Sequence, residues 1–555
     1  MGSFSTVKMV LDGADGRSYI REGLTPLSWA AKGGHEAVVR LLLARHDVII
    51  NAPDRLGQTP LFIAAREGHE VVVNMLLGQG DVNPNPPNLF RQTPLWAAAK
   101  EGHEGVVIAL LKRNDIEPDT AANRGQTPLF IAAYEGHKGI VRMLLERDDI
   151  NPNTAADYGK APLFVAADQG HEGIVRMILG RVDVDPNTAD EYGQTPIYRA
   201  ATRGHEGVVK ALLERADVDP NIADIDNLTA LFGAAYKGHE GAVKLLLGRA
   251  DVNPNAASAF GNTPLFIAAR RGHKAVVQRL LERADVNPNI ANRNNQTPLF
   301  IAALKGHGGP VKMLLERSDV NPNIAADDGK TPLCVAALLE GESVVGMLLQ
   351  RNDINPTIED KDGLTPLLAA AGSGNKGAVG LLLGRADVNA NAAADTGQTP
   401  LLAASVYGEG VVVKVLLGQG GVNPNSGDDR GQTPLFKAAR GGHEEIVKML
   451  LERKDINPNI AGNCGQTPLS KAACNGHEGV VKMLLGRVDV NIEMIDLAGE
   501  TALSRALKNK RHAIVKLLSE GKNPIPQSDG HKSAALRSPG PSDPDQHPSK
   551  RIRRF

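Results

Sequence analysis

Aromatic side chains make up only 4% of the 555 residues, so no large aromatic core is available and alanine, leucine, valine and glycine must do the packing. The three cysteines, Cys334, Cys464 and Cys474, are too few and too scattered for a disulfide framework or a cysteine metal site, and they fit a reducing compartment. A surplus of one charge sign is also missing. Lys and Arg number 62 against 63 Asp and Glu, a net charge of −1, so no global field draws nucleic acid or an acidic membrane. No stretch reaches the roughly 18 consecutive apolar residues of a membrane span. The start, MGSFSTVKMV, lacks the basic residues and apolar run of a secretory signal. Together these absences lead us to expect an intracellular protein of the cytoplasm or nucleus. The common catalytic motifs are missing as well: there is no G-x-S-x-G, no Cys-x-x-Cys and no H-E-x-x-H. Asp328-Gly329-Lys330-Thr331 resembles the end of a phosphate-binding loop, but Ile324 stands where that loop needs a glycine.

What the chain has is a period. Gly23, Gly57, Gly125, Gly159, Gly193, Gly261, Gly329, Gly363, Gly397, Gly431, Gly465 and Gly499 are separated by 34 residues or a multiple of it, with Arg91, Asn227 and Asn295 in the intervening slots. That makes fifteen copies without insertion or deletion, the signature of a single repeat solenoid rather than several globular domains. Each copy reads G-x-T-P-L-x-x-A-A-x-x-G-H-x-x-V-V-x-x-L-L followed by a polar D-V-N-P-N segment. Thr59, Thr93 and Thr127 are good N-caps, and the following proline fits the first helical position, where its missing N–H costs nothing. Pro60 is therefore expected to open a helix through Leu61, Ala64 and Ala65 that Gly68 ends. A second helix is expected through Val71, Val72, Met75, Leu76 and Leu77. The alanine pair lets helices approach closely. The Asp-Val-Asn-Pro-Asn segment reads as turn.

The repeated T-P-L-x-x-A-A-x-x-G-H core resembles the ankyrin repeat over residues 23 to 521, and the loop wording R-x-D-V-N-P-N is most similar to the long ankyrin arrays of filamentous fungi. The resemblance implies an all-α solenoid of helix–turn–helix units with β-turn fingers, acting on protein partners without catalysis. Two departures matter. The repeat is one residue longer than the family's usual ~33, with the extra length in the finger, which is expected to be longer and stiffer. The family's histidine after T-P-L is replaced by Phe62, Trp96, Phe130, Phe164, Tyr198, Phe232, Phe266, Phe300 and Phe436, expected to pack between repeats rather than to line a ligand box.

A Gly-His pair recurs at His35, His69, His103, His137, His171, His205, His239, His273, His307, His443 and His477. Chemistry needs a base once, not in every repeat. Stacked helices lie about 8–10 Å apart, too far for neighbouring imidazoles to share a zinc ion at about 2.0–2.1 Å. We expect these rings to hydrogen-bond backbone at the helix–helix corner. No catalytic residue, metal site or cofactor is expected.

Residues 1–22 read as half a repeat: an N-terminal cap, or the continuation of an upstream domain. Repeats between about 329 and 420 lose the Gly-His pair, with LLEGESVV at 338–345 and Asn375 and Glu409 in the histidine slot, and are expected to stack more weakly. Residues 522–555 are Pro/Ser-rich and expected to be disordered, ending in a basic cluster, Lys550, Arg551, Arg553 and Arg554, a nuclear-import candidate.

Against this fixed frame two rows vary. One follows the alanine pair: Arg66, Lys100, Tyr134, Asp168, Thr202, Tyr236, Arg270, Leu304 and Leu338, with Arg271 and Lys305 among its neighbours. The other precedes the turn glycine: Leu56, Phe90, Arg124, Tyr158, Tyr192, Asp226, Phe260 and Asn294. Exposed aromatics and arginines suit binding. Arg66, Phe90, Lys100, Tyr134, Tyr158, Tyr192, Tyr236, Phe260, Arg270, Arg271 and Lys305 are therefore the expected partner-binding residues of a concave surface. The expected function is a monomeric protein–protein interaction scaffold, in a finer version a nuclear adaptor or transcription coregulator, with no direct nucleic-acid contact. The alternative is the ligand-sensing portion of a fungal nucleotide-binding signalling receptor.

Overall fold

Threonine starts nearly every unit. In the computed structural model, which describes residues 23–339 and 341–520, Thr59 sits in extended backbone and its hydroxyl accepts a hydrogen bond from the Phe62 amide at 3.2 Å. That satisfies one of the orphan donors at the start of the inner helix Pro60–Glu67. Gly68, at φ +82°, closes this helix in the left-handed region that an L side chain avoids. The outer helix, Glu70–Leu77, follows at once. The same grammar repeats to the helices Ala502–Lys508 and His512–Glu520. Among the described residues the architecture is thirty α-helices in fifteen pairs, with no strand. The replacement of proline by Ala230 leaves the start in place, because Thr229 still caps Phe232 at 3.3 Å. The half-repeat expected over residues 1–22 and the tail over 522–555 lie outside the described residues.

Leu61, Ala64, Ala65, Val72, Val73 and Leu76 are buried, as are their counterparts down to the repeat that opens at Thr467, in one continuous core; in the last repeat Leu507 is exposed. The nine aromatics after T-P-L are buried too, so they pack in the stack as expected. Every substantial helix–helix contact lies within one repeat or between neighbours. Stability is then a sum of local terms: each repeat's own, plus its two interfaces.

Three polar ladders sew the interfaces. The histidine ladder comes first. Nε2–H of His69 donates to the Lys32 carbonyl at 3.0 Å, and His103, His137, His171, His205, His239, His273, His307 and His477 make the equivalent bond to the carbonyl 37 residues earlier. The corner bond is thus to the preceding repeat, not to the histidine's own turn. Next, arginine: Arg351 holds Asp353 with Nε and Nη2 (2.8 and 2.7 Å) and donates Nη1 to the Leu315 and Arg317 carbonyls of the preceding repeat, both at 2.9 Å. Arg351 also holds the Asp353 carboxyl below its usual range. Last, asparagine: Nδ2 of Asn187 donates to the Asp217 carbonyl at 2.7 Å while its Oδ1 accepts from the Asp219 amide at 2.9 Å. The D-V-N-P-N segment is therefore an interlock between repeats and not merely a turn.

Asp119 occupies an asparagine slot of this ladder. Its Oδ2 accepts from the Asn151 amide at 2.6 Å, but Oδ1 is buried without a hydrogen-bond partner. A carboxylate has no hydrogen to give where the asparagines give one to the carbonyl thirty residues on. Burial, reinforced by the charge of Asp149, raises its pKa against the pull of the Asn151 bond. The folded state therefore holds this proton more tightly than the unfolded chain. Stability is lost as pH rises from the ordinary carboxylate range through the raised value. Asp119→Asn is expected to stabilise the array by roughly 1 kcal/mol at pH 7, and by less at pH 4.5, closer to the range in which a carboxyl binds its proton. Urea midpoints at the two pH values check this.

Two slots of the weak region lack the ladder bond: Gly341, and Glu409, whose carboxylate has no hydrogen to donate. Gly341 stands in a histidine slot and has no side chain to reach the Leu304 carbonyl, and the space beside Gly306 is open. Asn375, by contrast, replaces histidine well. Its Nδ2 donates to the Leu339 carbonyl at 2.5 Å and its Oδ1 caps the Ala378 amide at 3.0 Å. The expectation of weak stacking across 329–420 is corrected there, because an amide does in one side chain what histidine does and adds a helix cap.

Candidate interaction surface

Inner helices and fingers together carry the two variable rows. Lys100, Tyr134, Arg270, Arg271 and Lys305 are exposed, and Arg66 and Tyr236 are half-buried. At the fingertips Phe90, Tyr158, Tyr192 and Phe260 are between 46% and 68% exposed, a large apolar area to leave in water unless something covers it.

The backbone under both rows is pinned. The carbonyls that the histidine ladder engages include those of Arg66, Lys100, Tyr134, Tyr236 and Arg270, the very residues of the inner-helix row. The frame histidine of one repeat thus holds the backbone of the variable-row residue of the repeat before it. At the fingertips, the carbonyls of Phe90, Tyr158, Tyr192 and Phe260 each accept an amide from the next finger, at 2.8, 2.9, 3.0 and 3.1 Å. A backbone so held has little freedom left to lose on binding a partner, which favours affinity.

Most fingers carry a further brace. Asp190 Oδ1 accepts from the Tyr192 and Gln194 amides at 3.0 and 2.9 Å, and Asn88 braces Phe90 in the same way. Ala122, Ala156, Ala326 and Ala394 fill this place in four repeats and cannot brace. In the first two of these Arg124 and Tyr158 turn to φ +69° and +64°, so Tyr158 is presented in a conformation rare for a bulky residue.

Some candidates also have partners within the chain. Arg66 donates to Glu67 and Gln58. The Arg271 guanidinium stacks 4.2 Å from the Tyr236 ring centre and hydrogen-bonds its hydroxyl, while Lys237 lies 5.4 Å from the same ring. Asp168 is held by Arg199 at 2.6 Å and Arg203 at 3.2 Å. Two exposed finger residues, Leu89 and Ile225, belong to the surface although the sequence reading passed over them. They precede the fingertip by one residue, where an apolar side chain in a polar loop was the available signal. Lys550, Arg551, Arg553 and Arg554 lie outside the described residues.

The buried nucleophiles are silent. Burial pushes the Cys334 thiol up to about 12, and burial with the Asp224 charge does the same to the Tyr198 hydroxyl, again to about 12. Among the described residues no group of three His, Cys, Asp or Glu could hold a metal ion, and no helix is long and apolar enough to cross a membrane.

A family model for ankyrin repeats (3 copies) matches residues 1–88, 73–156, 95–190, 149–224, 231–325, 284–360, 311–392, 381–461 and 455–528. The chain belongs to the ankyrin repeat family. Ankyrin arrays are protein–protein interaction modules, and the exposed rows above are where this array meets solvent. Among solved structures it is similar to the crystal structure of the ankyrin repeat domain of Bcl-3, described as a unique member of the IkappaB protein family. That similarity has 24% identity and a TM-score of 0.37, and covers 41% of this chain and 100% of that one. It carries no argument about this array's partner. No curated protein matches.

Proposed function

We propose that this array is a non-enzymatic scaffold that binds partner proteins along its inner-helix and finger face, with affinity summed over several repeats. One observation carries this reading: four fingertip aromatics, Phe90, Tyr158, Tyr192 and Phe260, stay exposed on backbone that the repeat frame holds still. The test is affinity capture with the whole chain and with a variant in which Phe90, Tyr158, Tyr192 and Phe260 are alanine. Loss of the captured protein by the variant, with helix content unchanged, is expected; an unchanged set of captured proteins contradicts the assignment. Because these side chains are exposed and none belongs to the continuous core, the variant should fold normally. The nuclear adaptor or coregulator role rests on Lys550, Arg551, Arg553 and Arg554, and imaging of a fluorescent fusion lacking those four charges tests it.

A further inference from the structure

Four successive inner helices end in cations. Arg203, Lys237 and Arg271 are the last residues of their helices, Arg270 precedes Arg271, and Lys305 caps the next helix. All five side chains are exposed. The helix end does not demand this charge, because Glu67, Glu101 and Glu135 stand in the same place in earlier repeats. Nor do carboxylates of the chain consume it: Arg203 shares Asp168 with Arg199, Arg271 stacks on Tyr236, and Lys237, Arg270 and Lys305 enter no ion pair among the described residues. A chain with a net charge of −1 thus concentrates five cations on one stripe.

The stripe has a pitch. Packed helices lie about 8–10 Å apart, so it offers cationic charge once in each such step. A polyproline II segment rises ~3.1 Å per residue with three residues per turn and returns the same face every ~9 Å. A β-strand returns its face after roughly 7 Å and an α-helix after about 5.4 Å, and both drift out of step within two repeats. Within the stripe, the half-buried Tyr236 ring, with Arg271 4.2 Å and Lys237 5.4 Å from its centre, offers an aromatic surface on which a proline can pack.

We propose that Arg203, Lys237, Arg270, Arg271 and Lys305 form a track for an acidic, proline-rich segment of a partner protein, bound in polyproline II conformation with a carboxylate at every third residue. This rests on the scaffold reading and names the partner's chemistry.

The full chain is titrated into a fluorescent peptide of repeated Glu-Pro-Pro triplets, and into a peptide of the same composition whose glutamates form one block. The phased peptide is expected to bind about tenfold tighter than the block peptide, to weaken with salt, and to lose about tenfold on Lys237→Glu/Arg270→Glu/Lys305→Glu. The corresponding triple glutamine variant, which introduces no repulsion, should show a smaller loss and guards against misfolding. Failure of the phased peptide to bind, equal binding of the block peptide, or undiminished binding to both variants overturns the proposal. So does an oligothymidine that competes for the stripe more strongly than the peptide, which would make it a nucleic-acid surface. If the peptides fail while the fingertip variant still loses its captured protein, the acidic track alone falls and the scaffold reading stands.

Discussion

Phe266→Ala is expected to cost about 3–5 kcal/mol. Phe266 is among the largest fully buried side chains, on the helix Pro264–Arg271, which packs against Ala230–Lys237 on one side and Pro298–Leu304 on the other. Removing the ring opens a void at two interfaces at once. Ala268 and Ala269 on the same helix are fully buried as well, so little slack is left to refill the space. In a nearest-neighbour array this loss need not unfold the whole chain. Urea unfolding followed by helical circular dichroism should split, with an early phase whose amplitude corresponds to the repeats around residue 266. A single transition at the wild-type midpoint contradicts the estimate.

Gly204→Ala carries the second-largest effect, about 2 kcal/mol, from two sources. Gly204 ends its helix at φ +78°, where a Cβ is strained by roughly 1 kcal/mol. That Cβ would also lie 2.6 Å from Nδ1 of His239, in the next repeat, whose Nε2–H donates to the Thr202 carbonyl at 3.1 Å. The imidazole must move and the bond is lost, about another 1 kcal/mol. The recurring Gly-His pair is therefore a contact between repeats: each glycine leaves room for the histidine of the repeat after it. A double-mutant cycle with His239→Ala checks this, since the steric share of the glycine substitution should vanish once the ring is gone, leaving only the backbone strain. Additive costs for the two substitutions would refute the pairing.

The frame was legible because it is periodic. Thr59, Pro60, the alanine pair and Gly68 each announce a local rule, and fifteen copies turn a weak rule into a strong one. The histidines were legible as structure for the same reason. What escaped reading was the partner of each polar frame residue. His69, Arg113 and Asn187 all bond to backbone about one repeat away, and a single repeat cannot show where its neighbour's carbonyls point. Yet the signal was present: Arg-x-Asp and Asn-Pro-Asn hold phase as strictly as the buried leucines, and phase-locked polar residues are as much frame as apolar ones. Asp119 is visible as an exception only once that ladder is known. The candidate face was legible as variation, but not the use that Arg66 and Tyr236 make of neighbours in the chain.

The account stands on modules that lean only on their neighbours and so hold a variable face still. Hydrogen exchange on the full chain carrying Phe266→Ala tests this most directly. The account predicts lost protection across the repeats from about Thr229 to Glu316, while the inner-helix amides after Thr59 and Thr467 keep wild-type rates. Equal acceleration near Thr59, residue 266 and Thr467 would contradict it.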